Sequence, residues 1–155
     1  MNQLYQLIQL QNDEDAKAYF ERGVESFREG RFQEGIELVK EAIRRKPDFA
    51  EAYNSWGGVL GYLAQKKEGK ARQELLAEGK EKCLKAESIK TGKGAYNLAC
   101  VSAVMGDKAE CQKWLKVGEQ TGTLTTREHA MNDSDLESVR NEDWFKQIRW
   151  SDDLE

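Results

Sequence analysis

The sequence is poor in residues that break helices, staple loops or carry out catalysis. Among 155 residues there is one proline, Pro47, and one histidine, His129. A single proline leaves helices nearly free to run, because an interior proline removes a hydrogen bond and clashes with the preceding turn. The cysteines, Cys83, Cys100 and Cys111, are odd in number and none stands in a CxxC pair. The simplest reading is a reduced, cytoplasmic protein. No apolar run approaches the length of a membrane span. The opening MNQLYQLIQL is apolar at intervals but has no basic start and no small-residue cleavage site, so it does not read as a signal peptide. The net charge is −4 with both signs interspersed. Without a basic patch, neither nucleic acid nor membrane is expected as a partner.

Catalytic constellations are missing too. His129 has no second histidine or cysteine at ligand spacing, and HxxxH and HExxH are absent. No GxSxG, GxxxxGK[ST] or GxGxxG occurs. GVLG and GKG lack the strand–turn–helix setting of a phosphate cradle. The carboxylates lie along helix faces with lysines, as solvated faces do. No catalytic residue, metal or cofactor is therefore expected, and an enzyme is not the favoured class. The cysteines fall at small-residue packing positions, where a buried, inert thiol is the default; Cys100 is the candidate exception.

What the chain has is a repeat. AKAYFERG at 16–23 and AEAYNSWG at 50–57 share Ala, Ala, Tyr and Gly, and Tyr19 and Tyr53 stand 34 residues apart. A period of that length is the mark of a stack of helix pairs. From Asp13, a plausible N-cap, apolar or small residues recur at helical spacing through Ala16, Tyr19, Phe20, Gly23 and Phe27 to a terminating Gly30. A second helix follows through Phe32, Ile36, Val39, Ala42 and Ile43. Arg44, Arg45 and Lys46 complement its dipole and Pro47 stops it. AEAYNSWGGVLGYLAQKK with ARQELLAEGKEKCLKAESI, and GAYNLACVSAVMG with DKAECQKWLKVGEQTG, repeat the scheme. Asp107 and Glu110 form a capping-box pattern. The second helices each carry small or branched residues spaced by four and three: Gly35, Val39, Ala42; Gly79, Cys83, Ala86; Cys111, Leu115, Gly118. Close helix contact would offset the roughly 1 kcal/mol that an interior glycine costs.

These residues resemble the tetratricopeptide repeat, in which W-x2-L-G-x2-Y leads to A-x3-F and a proline. Tyr53, Trp56, Gly57 and Leu60 stand on its first part, and Gly35, Val39, Ala42 and Pro47 on its second. Arg22 and Ser26 depart from it. The third unit aligns through Leu98, Ala99, Gly106 and Asp107. The resemblance covers about residues 14–120 and implies an all-α, right-handed α-α superhelix of three helical hairpins. The units are repeat 1 at 14–47, repeat 2 at 48–88 and repeat 3 at 92–120. An N-terminal capping helix is expected at 1–12 and capping helices at 125–150. Repeat 2 departs in length. Gly23 to Gly35 and Ala99 to Cys111 each span 12 residues, but Gly57 to Gly79 spans 22. A protruding hairpin tip near Lys66–Lys70 is expected, with both arms lengthened. TTRE at 125–128 and SDLE at 134–137 predict short helices near 125–131 and 134–140, and Trp144, Phe145 and Ile148 a third. That close is similar to the ends of many bacterial members, where short helices seal the last repeat, as repeat stacks require.

The resemblance also implies a concave groove lined by the first helix of each unit. Carried over by register, its positions are Lys17, Phe20, Val24 and Phe27; Glu51, Asn54, Gly58 and Gly61; and Lys93, Tyr96, Cys100 and Ala103, with Asn97 beside them. Phe20 and Val24 stand where chaperone-binding members place a carboxylate clamp, so an acidic tail is not the expected ligand. Large apolar groups followed by Gly, Gly, Cys and Ala suit an apolar segment, such as a partner's amphipathic helix, with Asn54 available to hold a backbone amide. The expected function is a protein-binding adaptor. The alternative is self-assembly as a homo-oligomer, or self-occupation, with the groove filled by MNQLYQLIQL or by the segment bearing Trp144 and Phe145.

Overall fold

A computed structural model describes residues 2–154; Met1, within the expected N-terminal cap, lies outside the described residues. The chain is all-helical, with no strand among the described residues. Six longer helices come in order: α1 Gln3–Arg28, α2 Phe32–Arg45, α3 Ala50–Ala64, α4 Gly69–Ile89, α5 Ala95–Val104 and α6 Lys108–Thr121. Two short ones follow, α7 Arg127–Asn132 and α8 Asp143–Lys146, with 3-10 turns at Ser134–Leu136 and Ser151–Asp153.

Consecutive helices pair antiparallel as α1/α2, α3/α4 and α5/α6, and glycine sets how closely they meet. A Cβ on Gly57 would stand 2.3 Å from Cys83 Sγ and 2.7 Å from the Gly79 carbonyl oxygen. A Cβ on Gly35 would stand 2.4 Å from the Phe27 ring and 2.9 Å from the Gly23 carbonyl oxygen. The glycines seen in the sequence thus face one another in pairs, Gly23 with Gly35 and Gly57 with Gly79. Turns between the hairpins are held by side chains: Glu87 accepts from the backbone of Gly92 (2.7 Å) and Gly94 (3.0 Å).

Three boundaries differ from expectation. No helix starts at Asp13. The N-cap is Asn2, whose side chain accepts from Leu4 N at 3.0 Å, and α1 runs unbroken for 26 residues. No Gly or Pro lies between residues 2 and 22 to interrupt it, and Asp15 is used inside the helix, accepting from Arg45 of α2 at 3.1 Å. The separate N-terminal capping helix is therefore absent, and the face expected to cap a repeat is in solvent: Leu4, Tyr5, Leu7, Ile8 and Leu10 are 49–63% exposed. Second, the long hairpin turns at residues 65–68, and most of its added length extends the start of α4 rather than both arms equally. Third, the expected helix at 134–140 is a single 3-10 turn started by Asp133, whose side chain accepts from Asp135 N. Likewise α7 is capped by Thr126 bonding His129 N, not by a Thr125–Glu128 box.

The core is weighted toward the C-terminal third. Leu98 and Leu115, from α5 and α6, meet Leu136, Val139, Phe145 and Trp150 from the segments after residue 124, all six fully buried. Full burial of each such side chain is worth about 1.5–3 kcal/mol, so the short helices are fixed by packing and not by their own propensity. A smaller cluster joins the first two hairpins through Ile36, Val59 and Leu60, with Phe27 and Trp56 against it.

Candidate functional site

The residues named for the groove divide into an open part and a closed part. The open part lies along α1 and the start of α3. Phe20 packs against Phe49 with ring centroids 4.9 Å apart and planes tilted by 58°. Around them, Leu10, Asp13, Lys17, Lys46 and Glu51 line an open hollow of about 520 Å³. Past Phe20 and Glu51 it continues into a second, of about 530 Å³, bordered by Asn54, Ser55, Lys93 and Thr123. Lys93 Nζ bridges to Glu51 Oε1 at 3.0 Å, tying the third hairpin to the second along this edge. Burial works against charge on Glu51, but the hydrogen bond from Lys93 and nearby positive charge outweigh it and hold the carboxyl below its ordinary value. The rim therefore presents both signs around an aromatic floor.

The closed part lies where α3 and α5 meet the C-terminal segment. Asn97 Nδ2 donates to Asn54 Oδ1 at 3.0 Å and to the Asn54 carbonyl at 3.3 Å. Asn54, expected to hold a partner's amide, is engaged within the chain instead. The same Asn97 nitrogen stands 3.0 Å from where a Gly58 Cβ would be. Gly58, Gly61, Asn97, Cys100 and Asp135 border only a slot of about 30 Å³, enough for a water and not for a peptide.

Five further placements correct the register argument. Phe27 packs into the Ile36–Leu60 cluster and against Gly35, so it belongs to the α1/α2 contact and not to the groove. Ala103 is buried in the C-terminal core, and Cys100 is buried beneath residues 126–136. Tyr96 is half-buried under the same segment: its ring lies 6.0 Å from that of His129, and its hydroxyl donates to Asp133 Oδ2 at 2.7 Å. Val24 is half-buried and borders neither hollow. The segment that closes this end is the one carrying His129 to Leu136. Phe145, named as a possible filler, lies wholly in the core beyond it, where Trp144 packs against it.

Cys100, Asp133 and Asp135 bring a thiol and two carboxylates within 4.8 Å of one another. Their capacity is already engaged. Asp133 Oδ2 accepts from Tyr96 and from Cys100 Sγ (3.6 Å), its Oδ1 accepts from Asp135 N, and Asp135 accepts from Gln65 Nε2 at 3.0 Å. Burial pushes the Cys100 thiol well above its ordinary pKa, and Asp133 pushes it further. Burial likewise raises Cys83 and Cys111 to about 12, Asp107 adding to the effect on Cys111. The thiolate is the reactive form of cysteine, and these shifts hold the thiols in the protonated form, while the bonds of the cluster tie Asp133 to α5 and Asp135 to Gln65.

Sequence reasoning missed Phe49, Asp133 and Asp135. Phe49 occupies the N-cap position of α3, outside helical periodicity, although DFAEAY places an aromatic directly after the helix stop at Pro47. The two aspartates sit in a turn whose partner, Tyr96, is 37 residues away; only the capping pattern around residue 134 signalled a turn there. No helix of the described residues is long and apolar enough to cross a membrane. Neither family models, curated proteins nor solved structures give a match to this chain.

Proposed function

We propose that this chain is a protein-binding adaptor: a tetratricopeptide-like right-handed superhelix of three hairpins whose groove takes an apolar helix or peptide. Three helix pairs in sequence, the first two with glycines facing one another at the contact, support the architecture. The observation that carries the binding function is the tilted Phe20–Phe49 pair at the floor of an open hollow, with Lys17, Lys46 and Glu51 at its rim. Aromatic anchors in a concave site with a polar rim are how interfaces concentrate their binding energy. The groove is the half on α1 and α3 alone, since the α5 half is covered by the chain's own residues 126–136. An enzymatic function is not proposed, because the thiol and carboxylates that converge are engaged in holding that segment. The three free, buried cysteines support a reducing, cytoplasmic setting.

The test is capture of a partner from the host's lysate by the wild-type protein and by Phe20→Glu, after circular dichroism has shown both to be helical. A partner held by the wild type and lost at least tenfold by the variant supports the groove. Equal recovery by both removes Phe20 from the binding site.

A further inference from the structure

The wall of the groove around Phe20 and Phe49 carries a charge pattern that limits what can lie in it. One stripe of α1 forms that wall: Leu10, Asp13, Glu14, Lys17, Phe20 and Glu21 recur at spacings of three and four, and all border the hollow. The cations here are already placed. Lys17 leans to Glu21 at 3.9 Å, Lys46 lies over the Phe49 ring at 5.5 Å, and Lys93 bridges to Glu51 at 3.0 Å. Asp13 and Glu14 are exposed, and neither enters an ion pair among the described residues. Leu10, one turn before them, is 61% exposed. Along α1 the wall therefore runs apolar, negative, apolar: Leu10, then Asp13 with Glu14, then Phe20 against Phe49. Phe20 lies about 10 Å from Asp13 and about 15 Å from Leu10 at helical rise.

We propose that the groove takes a basic amphipathic helix of a partner protein, laid along α1. Its apolar anchor meets Phe20 and Phe49. A lysine or arginine seven residues from the anchor meets Asp13 and Glu14, and a second apolar side chain four residues further meets Leu10. The proposal rests on the groove of Phe20 and Phe49 being a binding site, and it names the chemistry of the ligand. Charge selects a basic segment. A cation at that place gains two carboxylates that no cation of this chain pairs with, whereas an acidic segment meets both as like charges. Spacing fits a helix, because its residues seven and eleven on from the anchor both lie within about 20° of the anchor's own line and span about 16 Å. The backbone favours a helix as well. The walls are helices whose backbone groups bond within themselves, and no strand edge is present among the described residues. An extended ligand would leave its own backbone groups unpaired there, and a helix satisfies its own.

The experiment uses a display library of five-turn helical peptides randomised along one face. It is selected on the full wild-type chain and on a double variant, Asp13→Lys with Glu14→Lys, whose changed positions are exposed. The selected peptides are then titrated by fluorescence anisotropy against both proteins and against Phe20→Ala, each first shown to be helical by circular dichroism. Selection on the wild type should return a lysine or arginine seven residues from an apolar anchor, and selection on the double variant an aspartate or glutamate there. The wild-type set should bind the double variant about tenfold more weakly at low ionic strength, with the difference shrinking as salt is added, because exposed charge pairs are worth a few-fold each and are screened. Phe20→Ala should weaken the wild-type set at least tenfold. Peptides that need Phe20 but carry no charge preference, or the same preference on the two proteins, overturn the basic ligand and leave the groove standing. Peptides indifferent to Phe20→Ala bind elsewhere, which removes the groove and the proposal with it. A library that returns no binder to the wild type overturns the proposal and leaves the adaptor function to its own capture test.

Discussion

The hydroxyl of Tyr96 donates to Asp133 Oδ2 at 2.7 Å, joining the middle of α5 to a turn 37 residues later. That bond pins residues 126–136 over the α5 face and covers Cys100 beneath them. It lies on the covered face of α5, apart from the open hollows that border α1 and the start of α3.

Removing that hydroxyl should loosen the cover without disturbing the hairpins. Tyr96→Phe is expected to lower unfolding stability by about 1.5 kcal/mol, the usual scale for a hydrogen bond to a charged acceptor. Cys100 should then react faster with a thiol reagent under native conditions, because its burial depends on the same segment. Urea denaturation and labelling of the folded protein measure the two effects. Unchanged labelling would mean that packing of Leu136 and Val139 holds the segment unaided.

The pH dependence has a defined sign at Asp135. Burial, and then the charge of Asp133, raise its carboxyl above the ordinary 3.8. The folded state therefore binds this proton more tightly than the unfolded state. The favourable contribution is complete below 3.8 and is lost as pH rises through the raised value. Asp135→Asn mimics the protonated form and can still accept from Gln65. It is expected to be more stable than wild type at pH 7, with the difference vanishing near pH 3.5. Denaturation at the two pH values checks this. A variant less stable at pH 7 would show that attraction between Asp135 and Arg72 dominates.

Two glycines four residues apart on α3 should respond in opposite directions. Gly57→Ala drives a methyl against the Gly79 carbonyl oxygen, a backbone atom that cannot turn aside, and should lose about 1–3 kcal/mol by overpacking. A Cβ on Gly61 meets nothing within 4 Å, so Gly61→Ala should gain about 0.5–1 kcal/mol from helix propensity. Thermal unfolding of both variants is the measurement. Similar losses at the two positions would mean that the helices cannot be this close at Gly57 alone.

The sequence by itself determined the helical class and the positions of the principal turns. Those features depend on local chemistry: Gly30, Pro47, Gly106 and the Asp107 cap, which bonds Glu110 N at 3.0 Å, act within a few residues of themselves. The glycines that set hairpin contact were legible for a related reason, since their spacing repeats along the chain. The start of α1 after Asn2 was written locally as well, in the lack of any breaker over residues 2–22, though a second plausible cap at Asp13 concealed it. Tertiary structure alone decided the rest. Which groove residues stay open was decided by the closure at Tyr96 and Asp133 and by the amide bond of Asn97 to Asn54. A register argument treats the three first helices as equivalent. They cease to be so once a segment distant in sequence folds back over the last of them, and the burial of Phe145 and Trp150 that drives that folding is a property of the whole chain.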